Sequence, residues 1–257
     1  MESAHLSWDA MTSMLRGRLE GLPGPLRILE AGCGRKWPLK LSVPFTLTGL
    51  DLDGKALAAR TDLDHAVVGD LRTAEFPAHS FDVIYSAFVL EHVSGAQGVL
   101  GRFARWLAPG GMLILQVPDR DSAYGFLTRV TPFWVHVMFH RYMLKQPWAG
   151  TPGHAPYPTY YDRVISERGL REFCRRNAFT APEVYRLCSY DTKDRPVRLA
   201  AFLTSMLSGG RLAWRHNNLL LVAQMARLEV PLVREAAAQE REPLLRQPTS
   251  ARMRRAR

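Results

Sequence analysis

Short runs of consecutive apolar residues alternate with longer polar stretches of helical spacing through the first half of the chain. Residues 27–30, 46–50, 66–68, 81–86 and 112–117 read as strands. Most are apolar at successive positions rather than at alternate ones. That is the pattern of parallel strands covered on both faces. Residues 6–20 carry Leu6, Met11, Met14, Leu15 and Leu19 near helical spacing, and the stretch from Gly21 to Pro25 ends that helix. Residues 95–107 are the clearest helix between strands. The alternation predicts an α/β fold, a Rossmann-like doubly wound sheet with right-handed crossovers.

The pattern changes after Val117. Residues 119–165 are rich in Pro, Tyr, Trp, Phe and His and show weak periodicity. A stretch of this length inside a compact domain suits a lid or binding insertion after the fifth strand. Residues 166–177 predict a helix with Ser166 as N-cap. Residues 179–188 and 218–224 predict a final strand pair with a helical detour between them. The domain is therefore expected over residues 1–226, with the insertion at 119–165 and a basic tail at 227–257.

Candidate chemistry gathers at three strand ends. The first expected strand runs through Glu30 into Gly32-Cys33-Gly34. Ligands of open α/β sheets sit beyond the carboxyl ends of strands, and glycines let the backbone approach them closely. The next strand ends at Gly49-Leu50-Asp51, where a carboxylate can accept from both hydroxyls of a ribose. The third ends at Gly69-Asp70-Leu71. Asp70 suits either an adenine amine or an ordinary strand-ending turn. A dinucleotide site shows the same glycine and acid pair, but it wants a third glycine where this chain has Trp37. Glu30 just before the turn also suits an amino-bearing ligand better than a pyrophosphate.

The segments ILEAGCG, TGLDLD, VVGDL, FPAHSFDVIYSAFVLEHV and LAPGGMLILQVPD occur in this order. Together they resemble the successive motifs of class I S-adenosyl-L-methionine (SAM)-dependent methyltransferases, in particular the type 11 group. The resemblance covers about residues 26–118 and, more weakly, the chain to about 226. It implies a seven-stranded sheet with its last strand antiparallel. It implies that Glu30, Gly32 and Gly34 line the methionine moiety and that Asp51 holds the ribose. Leu52 lies against the adenine, Asp70 and Leu71 meet the adenine edge, and Ser86 and Ala87 pass the sulfonium. One departure is the run Arg35-Lys36-Trp37-Pro38, where the family often continues to another glycine.

Related enzymes bind a divalent metal through Glu-x-x-Glu-His; here Phe88 replaces the first glutamate, leaving Glu91 and His92, so no metal is expected. His92 is instead a candidate base or a structural residue. Trp134, His136, His140, Arg141, Tyr142, His154, Tyr157, Tyr160 and Tyr161 suit stacking on, or hydrogen bonding to, a bulky acceptor. His140, His154 and Tyr160 join His92 as catalytic candidates. Phe126, Phe133, Trp134 and Phe139 read equally well as the apolar face of a capping helix.

Hydrophobic residues make up 47% of the 257, enough for a sizeable core. The formal charge is +10, and residues 227–257 hold eight Arg against four Glu. Such a tail suits nucleic acid or an anionic membrane surface, or is a solvated end. Three cysteines form no paired framework, and no secretory leader or membrane span is evident. A cytoplasmic setting follows as the default. The reading with most support is a methyltransferase acting on a small molecule, at oxygen. An RNA or protein methyltransferase and a non-catalytic SAM-binding protein are the alternatives. No RNA-binding module is seen, and the oligomeric state is left open.

Overall fold

A computed structural model of the chain describes residues 8–34, 36–143, 145–151, 154–189 and 195–227. Seven strands form one sheet: β1 (Leu26–Ala31), β2 (Phe45–Asp51), β3 (His65–Val68), β4 (Phe81–Ala87), β5 (Leu107–Pro118), β6 (Glu183–Leu187) and β7 (Asn218–Gln224). Their order is β3-β2-β1-β4-β5-β7-β6. β1 to β5 pair in parallel, and β7 runs antiparallel to both β5 and β6. The expected α/β sheet with an antiparallel last strand is what forms. β3 differs from the expected doubly covered strand. It is the sheet edge, and Val68 at its end stands 64% exposed.

The consecutive apolar residues serve two faces. Leu29, Ile84, Leu113, Leu115 and Leu221 pack with Phe103 and Trp106 of α3 (Ala96–Trp106) and Leu170 and Phe173 of α6 (Glu167–Arg176). Ile28, Val83, Tyr85, Ile114 and Leu220 pack with Met11, Leu15 and Leu19 of α1 (Trp8–Glu20). Alternate residues of one strand thus enter opposite cores, and both must be apolar. Ser166 caps α6 as expected, accepting from the Gly169 amide at 3.1 Å.

The sheet order reverses between β1 and β4, which places a crevice at their carboxyl ends. The short helix α2 (Gly54–Ala58) starts just beyond β2, with the Asp53 carboxylate accepting from the Lys55 and Ala56 amides. The insertion leaves from the carboxyl end of β5. It contains α4 (Ala123–Val130), α5 (Phe133–Met138) and a π-helical turn over Phe139–Met143. The detour before β7 is α7 (Arg195–Leu207), which packs on α4 in a satellite cluster of Ala123, Tyr124, Ala201, Val197, Leu212 and Trp214. Phe126, Phe133, Trp134 and Phe139 lie on α4, α5 and the turn after it, and they are 36%, 41%, 63% and 38% exposed.

The residues up to Arg227 make one compact unit. Apart from Arg227, the expected basic tail lies outside the described residues. No described helix is long and apolar enough to cross a membrane.

Candidate active site

β1 ends in a loop that folds back over β2. The Gly32 and Cys33 amides both reach the Leu50 carbonyl, at 2.8 and 3.3 Å, and the Gly34 amide donates to Asp51 Oδ2 at 2.9 Å. Both glycines have positive φ, +73° and +53°. They are needed for different reasons. A Cβ on Gly32 would lie 2.3 Å from Val89 Cγ2, so the loop packs tightly on the segment after β4. A Cβ on Gly34 would meet nothing within 4 Å, so that turn faces open space.

Asp51 anchors this loop from the end of β2. Its Oδ2 takes the Gly34 amide and its Oδ1 takes the Asp53 amide, at 2.9 Å each. Each carboxylate oxygen keeps a second lone pair for a further donor. Leu52, 70% exposed, follows it. Asp70, beyond β3, is held by Arg72, which approaches both carboxylate oxygens at 2.5–3.0 Å. That guanidinium lowers the Asp70 carboxyl below its ordinary range. Leu71 is buried in the α3-side core.

Glu30 is nearly sealed, and its Oε2 accepts from Arg60 at 2.8 Å. The same guanidinium donates to the Cys33 carbonyl and to Asp62, whose Oδ2 accepts the Trp37 amide. Glu30 therefore acts first on an arginine of its own chain. Burial raises its carboxyl, to about 7, against the pull of Arg60. Trp37, which fills the position of the absent glycine, sets its indole edge-on to Tyr85. Arg60 and Asp62 escaped the sequence reading because their partners lie across the sheet and no spacing marks them.

At the end of β4, the Ser86 hydroxyl is buried without a partner among the described residues. Ala87 follows, and Phe88 has a positive φ of 56° with its ring 42% exposed. An orphaned buried hydroxyl, an open glycine turn and a carboxylate with free lone pairs stand at or just beyond the carboxyl ends of β4, β1 and β2. This set fits a ligand carrying hydroxyls, an amine and an apolar ring.

The segment after β4 meets the returning end of the insertion. His92 Nδ1 lies 2.8 Å from the Pro158 carbonyl. A carbonyl only accepts, so Nδ1 carries the proton and neutral His92 presents a lone pair at Nε2. Burial lowers the His92 pKa from its ordinary value. Tyr157 packs edge-on to the imidazole, and the Tyr160 amide donates to the Glu91 carbonyl at 2.7 Å. Asp162 accepts the first amide of α3, from Ala96. Glu91 is buried with Oε2 unpartnered among the described residues, and burial raises its carboxyl to about 7.

The structure thus brings Glu91, His92, Tyr157 and Tyr160 together. His140 bonds Gln146 and His154 meets the Thr151 hydroxyl, both partners within the insertion itself. Among the described residues no three His, Cys, Asp or Glu side chains gather as a metal site.

Residues 29–115 match the family model described as a methyltransferase domain. A probable S-adenosylmethionine-dependent methyltransferase of Mycolicibacterium smegmatis is 32% identical over 115 residues, covering 41% of this chain and 44% of the relative. The 27-O-demethylrifamycin SV methyltransferase of Amycolatopsis mediterranei is 32% identical over 130 residues, covering 44% and 47%. The matched segments span less than half the length of these relatives. The crystal structure of a SAM-dependent methyltransferase from Archaeoglobus fulgidus shares the fold, with a TM-score of 0.52, 14% identity and coverage of 85% of this chain and 94% of that one. Residues 29–115 thus carry a methyltransferase domain similar to that of SAM-dependent methyltransferases.

Proposed function

We propose that the chain transfers the methyl group of SAM to a small-molecule acceptor, at an oxygen, with His92 Nε2 taking the acceptor's proton. The carrying observation is the 2.8 Å contact between His92 Nδ1 and the Pro158 carbonyl, which leaves a basic nitrogen where the insertion meets the end of β4. SAM supplies a methyl group already made electrophilic by its sulfonium. The protein's part is positioning, exclusion of water and disposal of one proton.

In this reading Asp51 accepts from the ribose hydroxyls through its remaining lone pairs, and Leu52 covers the adenine. Gly32 and Gly34 let the loop backbone come close to the methionine end, and Ser86 and Ala87 pass the reacting centre. Glu30 holds the loop through Arg60. The Asp70 backbone and the Leu71 amide serve the adenine edge, since the Asp70 carboxylate is engaged by Arg72. Tyr157 and Tyr160 flank the acceptor, while His140 and His154 shape the lid rather than take the proton.

An oxygen acceptor is favoured because a hydroxyl loses a proton on attack and so gives the His92 base a task. The name of the Amycolatopsis relative points the same way.

Two measurements test the proposal in sequence. Calorimetry with S-adenosylhomocysteine should show a single site per chain; no heat at millimolar ligand in folded protein defeats it. Extract metabolites incubated with labelled SAM should then yield a methylated small product. The rate should rise with pH along a limb whose midpoint lies below about 6.5. His92→Asn should keep the ligand binding and lose that limb together with about 10²–10⁴-fold in rate. A retained rate and limb would assign the proton to another group.

A further inference from the structure

Helix α7 is built inside out. Its inward stripe, Val197, Ala201 and Ser205, lies at four-residue spacing and is made mostly of small residues, with Val197 and Ala201 packed on Ala123 and Tyr124 of α4. Its large apolar side chains point the other way: Leu199, Leu203, Met206 and Leu207 are 58%, 50%, 64% and 90% exposed. The insertion repeats this. Neither α5 nor the π-helical turn after it has a buried residue, and Trp134 and Met143 are 63% and 65% exposed. A surface helix ordinarily hides its apolar face. A broad exposed apolar area marks a surface that meets a partner.

Charge narrows the partner. Residues 122–161 contain no Asp or Glu, and neither do residues 195–217. The first stretch carries Arg129, Arg141 and Lys145, and the second carries Arg195 and Arg198, besides Arg211 and Arg215, which line a pocket with Asp119, Asp121 and Glu167. Exposed Trp134, Tyr142 and Trp148 add rings with an apolar body and a polar edge, the type that settles at a bilayer interface. An acidic protein partner would complement the cations but has no use for so many unpaired apolar side chains. A second copy of this chain would face its own acid-free, cation-bearing stretch across a self-complementary interface, which is repulsive.

We propose that α7, α5 and the turn after α5 form a docking surface for an anionic lipid bilayer. Leucine, methionine and tryptophan side chains enter the acyl boundary, and the arginines lie at the headgroup phosphates. α4 and α5 follow the carboxyl end of β5, so docking brings the bilayer to the side of the sheet that carries the crevice. The leucines of α7 lie outside the residues assigned to methyl transfer, so either reading can fail without the other.

The test uses the full chain and sedimentation with vesicles of phosphatidylcholine alone or mixed with phosphatidylglycerol. The protein should pellet with the mixed vesicles and remain free with phosphatidylcholine alone. The double variant Leu203→Glu, Leu207→Glu should lower the partition by about tenfold or more while retaining S-adenosylhomocysteine binding. Residues 227–257 are present in both proteins. Undiminished pelleting of the variant would therefore assign binding to the tail and overturn the proposal. Absence of wild-type pelleting overturns it too. So does a lipid-free dimer that the same substitutions dissolve. A second readout does not depend on that variant folding. Lipids brominated in the acyl chain should quench wild-type tryptophan fluorescence and quench Trp134→Phe less; equal quenching overturns the insertion of Trp134.

Discussion

Asp51 holds two backbone amides before any ligand arrives, Gly34 on one oxygen and Asp53 on the other. It joins the glycine loop to the start of α2, and its removal costs both order and ligand contacts. Asp51→Ala should weaken S-adenosylhomocysteine binding by about 1–3 kcal/mol, measured by calorimetry, for one or two lost hydrogen bonds. Asp51→Asn should recover part of this, because the amide oxygen can still accept. An unchanged affinity in both variants would take Asp51 out of the site. Glu91 makes a different prediction. Burial raises its folded carboxyl from the ordinary 4.5 to about 7. The folded state therefore binds the proton more tightly than the unfolded chain. Its contribution to stability is full below about pH 4.5, falls as the pH rises, and is gone above about 7. Glu91→Gln should flatten the loss of stability between pH 5 and 8, an effect of up to roughly 3 kcal/mol in urea unfolding. Asp51 was legible from sequence because it ends an apolar run after a glycine pair. The tautomer of His92 was not, because it is set by a carbonyl 66 positions away.

At the scale of elements, the loop after β1 is held by an arginine rather than by a further glycine. Arg60 spans Glu30, the Cys33 carbonyl and Asp62, and Asp62 in turn fixes the Trp37 amide. This network answers the departure at positions 35–38. Where the family often continues with glycine, Trp37 stands on Tyr85 and the loop is tied down from α2's side. Arg60→Met should leave a buried carboxyl without its cation and cost about 3 kcal/mol in urea unfolding. The loss should grow as the pH rises, because losing Arg60 pushes the Glu30 carboxyl still higher and keeping it protonated becomes costlier. The same variant should weaken S-adenosylhomocysteine binding, and full affinity in the destabilised protein would confine the network to stability. The strands and α3 were readable because periodicity reports burial, and these elements are buried on one or both sides. α4, α5 and α7 show weak or inverted signals. Their large apolar residues face outward, so no alternation of core and solvent positions is written into them.

For the whole molecule, the parallel part of the sheet was legible in runs of consecutive apolar residues that serve two covered faces, while the antiparallel last strand was legible through the resemblance to the methyltransferase motifs. The edge strands β3 and β6 are less covered than the central strands, since a strand with one neighbour does not need two apolar faces. The limits of the folded unit are visible in its last ties. Met225 donates to the Gly111 carbonyl, the Gly110 amide donates back to Met225, and the Ala226 amide donates to Ala178. These bonds close β7 against β5 and the start of the β6 segment. They complete the compact unit, which reaches to Arg227. A chain ending at Leu228 keeps every one of them. It also keeps the crevice residues and the acid-free stretches of the insertion and α7. It should therefore melt within a few degrees of the full chain and bind S-adenosylhomocysteine with unchanged affinity. On anionic vesicles it should lose only the long-range part of the attraction, which added salt would already screen in the full chain. Equal partition of the two chains at high salt would place the binding on the folded surface. A shortened chain that no longer binds at any ionic strength would place it on residues 229–257, whatever face α7 presents.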